Sequence, residues 1–287
     1  MNPLSRRKFL GHAAAATGAA VAAQAGLGRL AAAEADLPLV DYHVHVEGVI
    51  TLEKAIEISR QRGVKFGIVE HAGTKANKYP NLLSTDEHLE RYLDMLDGKP
   101  VFKGIQAEGI DWMTCFSKEL VAKLDYVLTD ALTLPLKDGT RFEIWKPGLN
   151  LDNPQEFMDR YVDFHVKIMK CEPIDILANV TFLPAPLVKD HDALWTTARM
   201  QRIIETAVEN NVAIEINSSY CLPKLAFLQM AKKAGVKFST GSSIRGLDVG
   251  KLDYCRKMAA ELDLKQSDLF TPAPPGQKPI ERRKLAT

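Results

Sequence analysis

The chain has few of the features that staple small secreted domains together or mark nucleic-acid binders. Its four cysteines, Cys115, Cys171, Cys221 and Cys255, include no Cys-x-x-Cys pair, which argues against a zinc knuckle or a thioredoxin-like motif. In an oxidising compartment any two of them can pair, and their spacing does not say which. Basic and acidic residues nearly cancel, 37 against 36, so no surplus of positive charge is available for a nucleic-acid partner. Histidine is also scarce: there are seven in 287 residues, and none follows His191.

A further absence lies at the start, where no acidic residue occurs before Glu34. Ser5-Arg6-Arg7-Lys8-Phe9-Leu10 forms a twin-arginine pattern, and an Ala/Gly-rich, weakly apolar run follows it. Gly18, Gly26, Gly28 and Arg29 interrupt that run, so it is too weakly apolar for a stable membrane anchor. Residues 1–33 therefore read as a twin-arginine signal peptide, with Ala31-Ala32-Ala33 as its cleavable small residues. This implies the twin-arginine export machinery as a partner and a periplasmic or secreted location. Removing the segment takes away Arg6, Arg7, Lys8 and Arg29 and no acid, which turns the net charge from +1 to −3. The remainder is long enough for one large core, so residues 34–270 are expected to form a single domain. Residues 271–287, rich in Pro, Lys and Arg, read as a flexible C-terminal tail.

What is present is organised around Asp41-Tyr42-His43-Val44-His45-Val46-Glu47-Gly48. This stretch ends the apolar run Leu37-Pro38-Leu39-Val40, which reads as a β-strand. Residues two apart in a strand share a face with Cα atoms about 6.5 Å apart, so the His43 and His45 imidazoles are spaced to close on one metal ion. Downstream, apolar strands alternate with amphipathic helices. Strands are expected over 64–71, 101–108, 124–130, 174–179, 212–217 and 236–242. Helices are expected over 51–60, 85–96, 117–123, 153–170, 196–210, 225–234 and 249–262. Residues 133–150 break the alternation with Asp138-Gly139 and Pro147-Gly148 turns, as an inserted hairpin or lid would. Seven β-α units argue for an α/β fold, a closed or nearly closed TIM-like barrel, with its chemistry at the C-terminal strand ends. His43, His45, His71, Glu108, Asp130, Asn179, Asn217 and Ser242 all fall there.

The order His-x-His, then Glu70-His71, then Glu108, resembles the PHP family (polymerase and histidinol phosphatase domains). The resemblance covers roughly residues 37–262 in layout and implies a distorted (β/α)7 barrel. It also implies a divalent transition-metal cofactor (zinc, manganese or iron) and phosphoester hydrolysis. His43, His45, His71 and Glu108 match the family's metal-binding positions. The chain departs later: Asp130-Ala131-Leu132 and Asn179 stand where histidines are usual, and Gly241-Ser242-Ser243-Ile244-Arg245 replaces Gly-Ser-Asp-x-His. What remains suffices for one or two ions.

In this reading Asp130 is a substitute ligand or the base, and Arg245 is a clamp for phosphate or carboxylate. Asn179, Asn217 and Ser242 bind a small-molecule substrate. Two alternatives stand beside the phosphoesterase. His43-Val44-His45-Val46-Glu47-Gly48 is also similar to the first motif of amidohydrolases and deaminases. A barrel with a degenerate metal site that only binds a periplasmic ligand fits the missing Asp-x-His.

Overall fold

The computed structural model describes residues 37–38, 40–136, 141–274, 277–278 and 280–281. The signal-peptide reading of residues 1–33 lies outside them. The chain divides into two units, Met1–Pro38 and Leu39–Thr287, and the barrel is built from the second.

Parallel strands form its wall: β1 (Val40–Val44), β2 (Lys65–Ile68) running on into β3 (His71–Ala72), β4 (Phe102–Ala107), and β5 (Tyr126–Thr129). After the antiparallel hairpin β6 (Thr133–Pro135) and β7 (Arg141–Glu143) come β8 (Ile176–Leu177), β9 (Ala213–Asn217) and β10 (Phe238–Gly241). β1 pairs with both β2 and β10, while β2 and β3 both pair with β4, so the sheet closes on itself. Counting β2 and β3 as one interrupted strand, this is a distorted (β/α)7 barrel. The hairpin stands apart as its own two-stranded sheet.

Local chemistry explains the helix boundaries. Thr51 caps α1 (Leu52–Arg62) by accepting from Lys54 N, and Gly63 ends it in the left-handed conformation that glycine adopts at no steric cost. Thr85 and Thr196 do the same N-terminal work for α2 (Asp86–Leu96) and, later in the chain, for residues 197–209. A short α3 (Lys118–Val121) precedes α4 (Pro154–Cys171), where Asn153 is the cap and Pro154 occupies the first turn, the one place a missing N–H is harmless. Then follow α5 (His191–Leu194), α6 (Thr197–Glu209), α7 (Leu225–Ala234) and α8 (Asp253–Glu261). Among the described residues no helix is long and apolar enough to cross a membrane. All four cysteines are free.

Two differences from the sequence reading have physical causes. The expected strand over 64–71 breaks at Val69-Glu70, because the barrel turns there and β3 leaves β1 to continue on β4 alone. The expected strand over 174–179 shrinks to Ile176–Leu177, since Asn179 adopts a positive φ of 52° and carries the chain out of the ladder.

One end of the barrel is filled by aromatic rings. Tyr126 is fully buried, its hydroxyl donates to the Tyr42 carbonyl (2.7 Å), and Gly67 and Gly104 leave room for its ring. A Cβ at Gly104 would overlap that ring, so Gly104→Ala is expected to destabilise the protein by ~1–3 kcal/mol, the usual effect of overpacking. Urea midpoints would show this, and the loss should be less than additive in Gly104→Ala/Tyr126→Leu, where the ring is gone. Additive losses would mean that the ring is not the obstacle.

The seam between the first and last strands is held by a buried carboxylate. Asp41 Oδ1 accepts from Ser242 N (2.9 Å) and His43 N (3.1 Å), and Oδ2 from Ser242 Oγ (2.5 Å) and Gly250 N (2.9 Å). Beyond β10, Phe270 packs edge-on against Tyr42, with ring centroids 5.2 Å apart. Lys278 is buried and ion-paired with Asp175.

Candidate active site

Because parallel strands all end at the same rim, side chains far apart in sequence meet there. β1 delivers His43 and His45, β3 His71, β4 Gln106 and Glu108, and β5 Asp130. β8 leads to Asn179, β9 carries Glu215 and Asn217, and the turn after β10 brings Arg245. A cavity of about 120 Å³, lined by His43, His71, Tyr79, Gln106, Asp130 and Arg245 among others, opens at this rim. Trp145, just beyond the β6–β7 hairpin, and Tyr220 also line it.

At the centre sits a residue that the sequence reading did not single out. Gln106 Oε1 lies 3.1 Å from His43 Nε2 and 3.1 Å from His45 Nε2, so one carbonyl oxygen accepts from both imidazoles. Its Nε2 donates to Asp130 Oδ2 (3.3 Å). Behind His43, Nδ1–H donates to Glu215 Oε1 (2.7 Å). Donating from both nitrogens makes His43 an imidazolium. Burial by itself would lower its pKa, but the Glu215 charge and hydrogen bond raise it on balance; Glu215 is correspondingly held below the carboxylate range despite its own burial. Gly241 gives this pair its space, since a Cβ there would collide with the Glu215 carboxylate. His45 is the opposite case: burial first, then the positive charge of His43 and Arg245, keeps it neutral, and its Nδ1 is buried without a hydrogen-bond partner.

His71 belongs to a second chain of contacts. Its Nδ1–H donates to Glu108 Oε1 (2.7 Å), and its Nε2 accepts from Arg245 Nη2 (2.8 Å). Burial and then the guanidinium push its pKa to about 3, so the ring is neutral, as this pattern requires. Tyr79 stacks on the same ring at 3.6 Å and donates to Glu108 Oε2 (3.4 Å). On its other side Arg245 is ion-paired with Glu47.

Asp130 accepts from Gln106, from Asn179 Nδ2 (2.9 Å) and from Leu132 N (3.0 Å). Burial, then the nearby Glu108, nevertheless raises its pKa to about 6. Asn217 and Ser242, expected at the substrate, are turned away from the cavity. Asn217 donates to Asn179 Oδ1 (3.0 Å) and Glu215 Oε2 (3.1 Å), and Ser242 is spent on Asp41; both are wholly buried. Their role is to hold the wall.

Do these groups fit a metal ion? Among the described residues no set of three or more His, Cys, Asp or Glu side chains is disposed to hold one. His71 stacks on His45 with ring centroids 4.8 Å apart, its Nε2 facing the Arg245 guanidinium and its Nδ1 the Glu108 carboxylate. What does converge is His43 Nε2 and His45 Nε2, each 3.1 Å from the Gln106 carbonyl oxygen, which sits where the two imidazoles meet. The Glu215 bond behind His43 is the kind that orients a metal-binding imidazole. Two imidazole nitrogens and an amide oxygen are thus the donors this rim offers a single ion, and among the described residues no His, Cys, Asp or Glu cluster stands ready for more.

Gln106 and Glu215 carried a faint sequence signal. Glu215 is the one charged residue in the run Val212-Ala213-Ile214-Glu215-Ile216, and Gln106 shares its strand face with Glu108. In a barrel wall covered on both faces, an isolated polar residue inside an apolar strand points inward to a partner.

Closed barrel and interrupted second strand together define a distorted seven-stranded, TIM-like α/β barrel with a cavity at its strand ends. The chain is similar in fold to histidinol phosphate phosphatase from Lactococcus lactis subsp. lactis, whose crystal structure holds zinc, L-histidinol and phosphate. The TM-score is 0.57 over 87% of this chain and 100% of that one, at 15% sequence identity. At such identity the likeness is one of fold. No protein-family profile and no curated protein matches the chain in sequence.

Proposed function

We propose that this protein is a phosphoester hydrolase that uses one divalent transition-metal ion. The observation that carries the reading is the pairing of the His43 and His45 Nε2 atoms, both within 3.1 Å of the Gln106 carbonyl oxygen, beside a cavity lined by Arg245. His43, His45 and the Gln106 carbonyl would hold the ion. When bound, such an ion polarises the phosphoryl group and acidifies water.

The chain's own residues account for the rest. Arg245 is braced by Glu47 and His71, so its remaining N–H groups are aimed in advance at phosphoryl oxygens. The cavity of about 120 Å³ admits a phosphoryl group and a short arm, leaving the remainder of a small substrate between Trp145 and Tyr220. Asp130, with its pKa near 6, is poised to exchange a proton close to neutral pH. Export by the twin-arginine route, and hence a periplasmic or secreted location, belongs to the same proposal and rests on Arg6-Arg7.

The second reading is a barrel that binds an anionic ligand without metal, and one observation favours it: a guanidinium already occupies the third imidazole. Elemental analysis of protein purified without chelator, followed by assays on phosphomonoesters and phosphodiesters, separates the two. About one equivalent of zinc, manganese or iron with phosphoester turnover is the expected result. No metal after reconstitution, together with no turnover, would leave the ligand-binding barrel.

A further inference from the structure

A second concavity lies away from the strand-end cavity, between residues 80–83 and α2. Its volume is about 410 Å³, within the range of small-molecule pockets. Leu82, Leu83, Tyr92 and Met95 supply apolar walls, and Arg91, exposed on α2, stands among the lining residues.

Glu70 also lines this groove; its backbone carbonyl accepts from Gln106 N (2.9 Å), while its side chain is not among those lining the strand-end cavity. It sits where β2 breaks before β3, is 5% exposed, and its Oε2 is buried without a hydrogen-bond partner. A buried carboxyl oxygen left unpaired is destabilising unless a donor reaches it. The groove thus joins an unsatisfied acid, an apolar channel and a basic residue.

We propose that this groove is a second binding site, for a small zwitterionic amino compound. Its ammonium group meets Glu70, its methylene body lies along Leu82, Leu83, Tyr92 and Met95, and its anionic end faces Arg91. An ammonium supplies the N–H donors that Glu70 Oε2 lacks. A plain carboxylic acid would bring like charge to it, and a plain amine would leave Arg91 without a counter-charge.

The probe is 6-aminohexanoate, titrated calorimetrically into the full chain, with hexanoate as comparator. One equivalent is expected to bind, at least tenfold more tightly than hexanoate and at least tenfold more tightly than to Glu70→Gln. Binding to Asp130→Asn is expected to be unchanged. Equal affinity for wild type and Glu70→Gln, absence of binding to wild type, or loss in Asp130→Asn, which would move the probe to the strand-end cavity, each overturns the proposal. If Glu70→Gln fails to fold, Met95→Trp replaces it: Met95 is 41% exposed, so a larger ring there fills the groove from outside. Retained binding in a folded Met95→Trp protein overturns the site. Because the readout is binding without turnover, its outcome is independent of the phosphoesterase reading.

Discussion

Loss of bound metal and a fall in phosphoester hydrolysis of at least ~10⁴-fold is the expected result for His43→Ala/His45→Ala, since an ion that polarises the scissile group contributes several kcal/mol at the transition state. The two positions are not equivalent. Removing His43 strands Glu215, a wholly buried carboxylate paired at 2.7 Å, and leaving such a charge alone costs ~3–5 kcal/mol. The double variant therefore risks losing the fold along with the metal. His45→Ala is the cleaner test, because His45 Nδ1 has no partner to lose and its Nε2 shares Gln106 with His43. It should melt close to wild type by circular dichroism and retain no stoichiometric metal. A folded His45→Ala protein that keeps one equivalent sinks the assignment. Since His43 must give up its Nε2 proton to bind an ion, and its pKa is raised, metal affinity should strengthen as pH rises.

Asp130→Asn is expected to lower kcat/KM by ~10²–10⁴-fold, the usual contribution of a positioned acid or base. The pH profile gives the sign. As a base, Asp130 works only when ionised, so activity should rise with pH through its pKa and level off above it. That pKa is about 6 in the metal-free protein, and a cation nearby lowers a carboxylate's pKa, so the ascending limb belongs at or below about pH 6. Asparagine preserves the shape and can still accept at its carbonyl, so the limb should vanish while KM changes little. Arg245→Ala should do the reverse, raising KM and keeping the limb. A limb that survives in Asp130→Asn assigns the titration elsewhere.

Much of the barrel was legible because its signals are local. A capping Thr before an apolar-periodic run, or Gly63 after one, gives the helix bounds within a residue or two. Placing His43, His45, His71, Glu108, Asp130, Asn179 and Arg245 at strand ends needed only the rule that parallel barrels gather their rims. What could not be read is which of these side chains face one another. Glu108 follows Gln106 on the same face, yet a step of two residues along the strand decides that the amide lies between the two histidines and the carboxylate lies behind His71. Asn217 and Ser242 were drawn into the wall by partners, Glu215 and Asp41, whose importance appears only when β9, β10 and β1 stand side by side. The break at Val69-Glu70 was invisible for a similar reason, since it answers to the closure of the barrel and not to the composition of the strand.

Where β1 meets β10, four donors converge on a single carboxylate, and Phe270 lies on Tyr42 close by. The beginning and the end of the barrel's chain are therefore neighbours in space, and the join between them is stitched by side chain and backbone together. Such a molecule has no mechanical need to start where it does. A circularly permuted form, with the old ends bridged by a short linker and new ends opened in the β6–β7 hairpin, would keep every contact around Gln106 while making the first strand an interior segment of the chain.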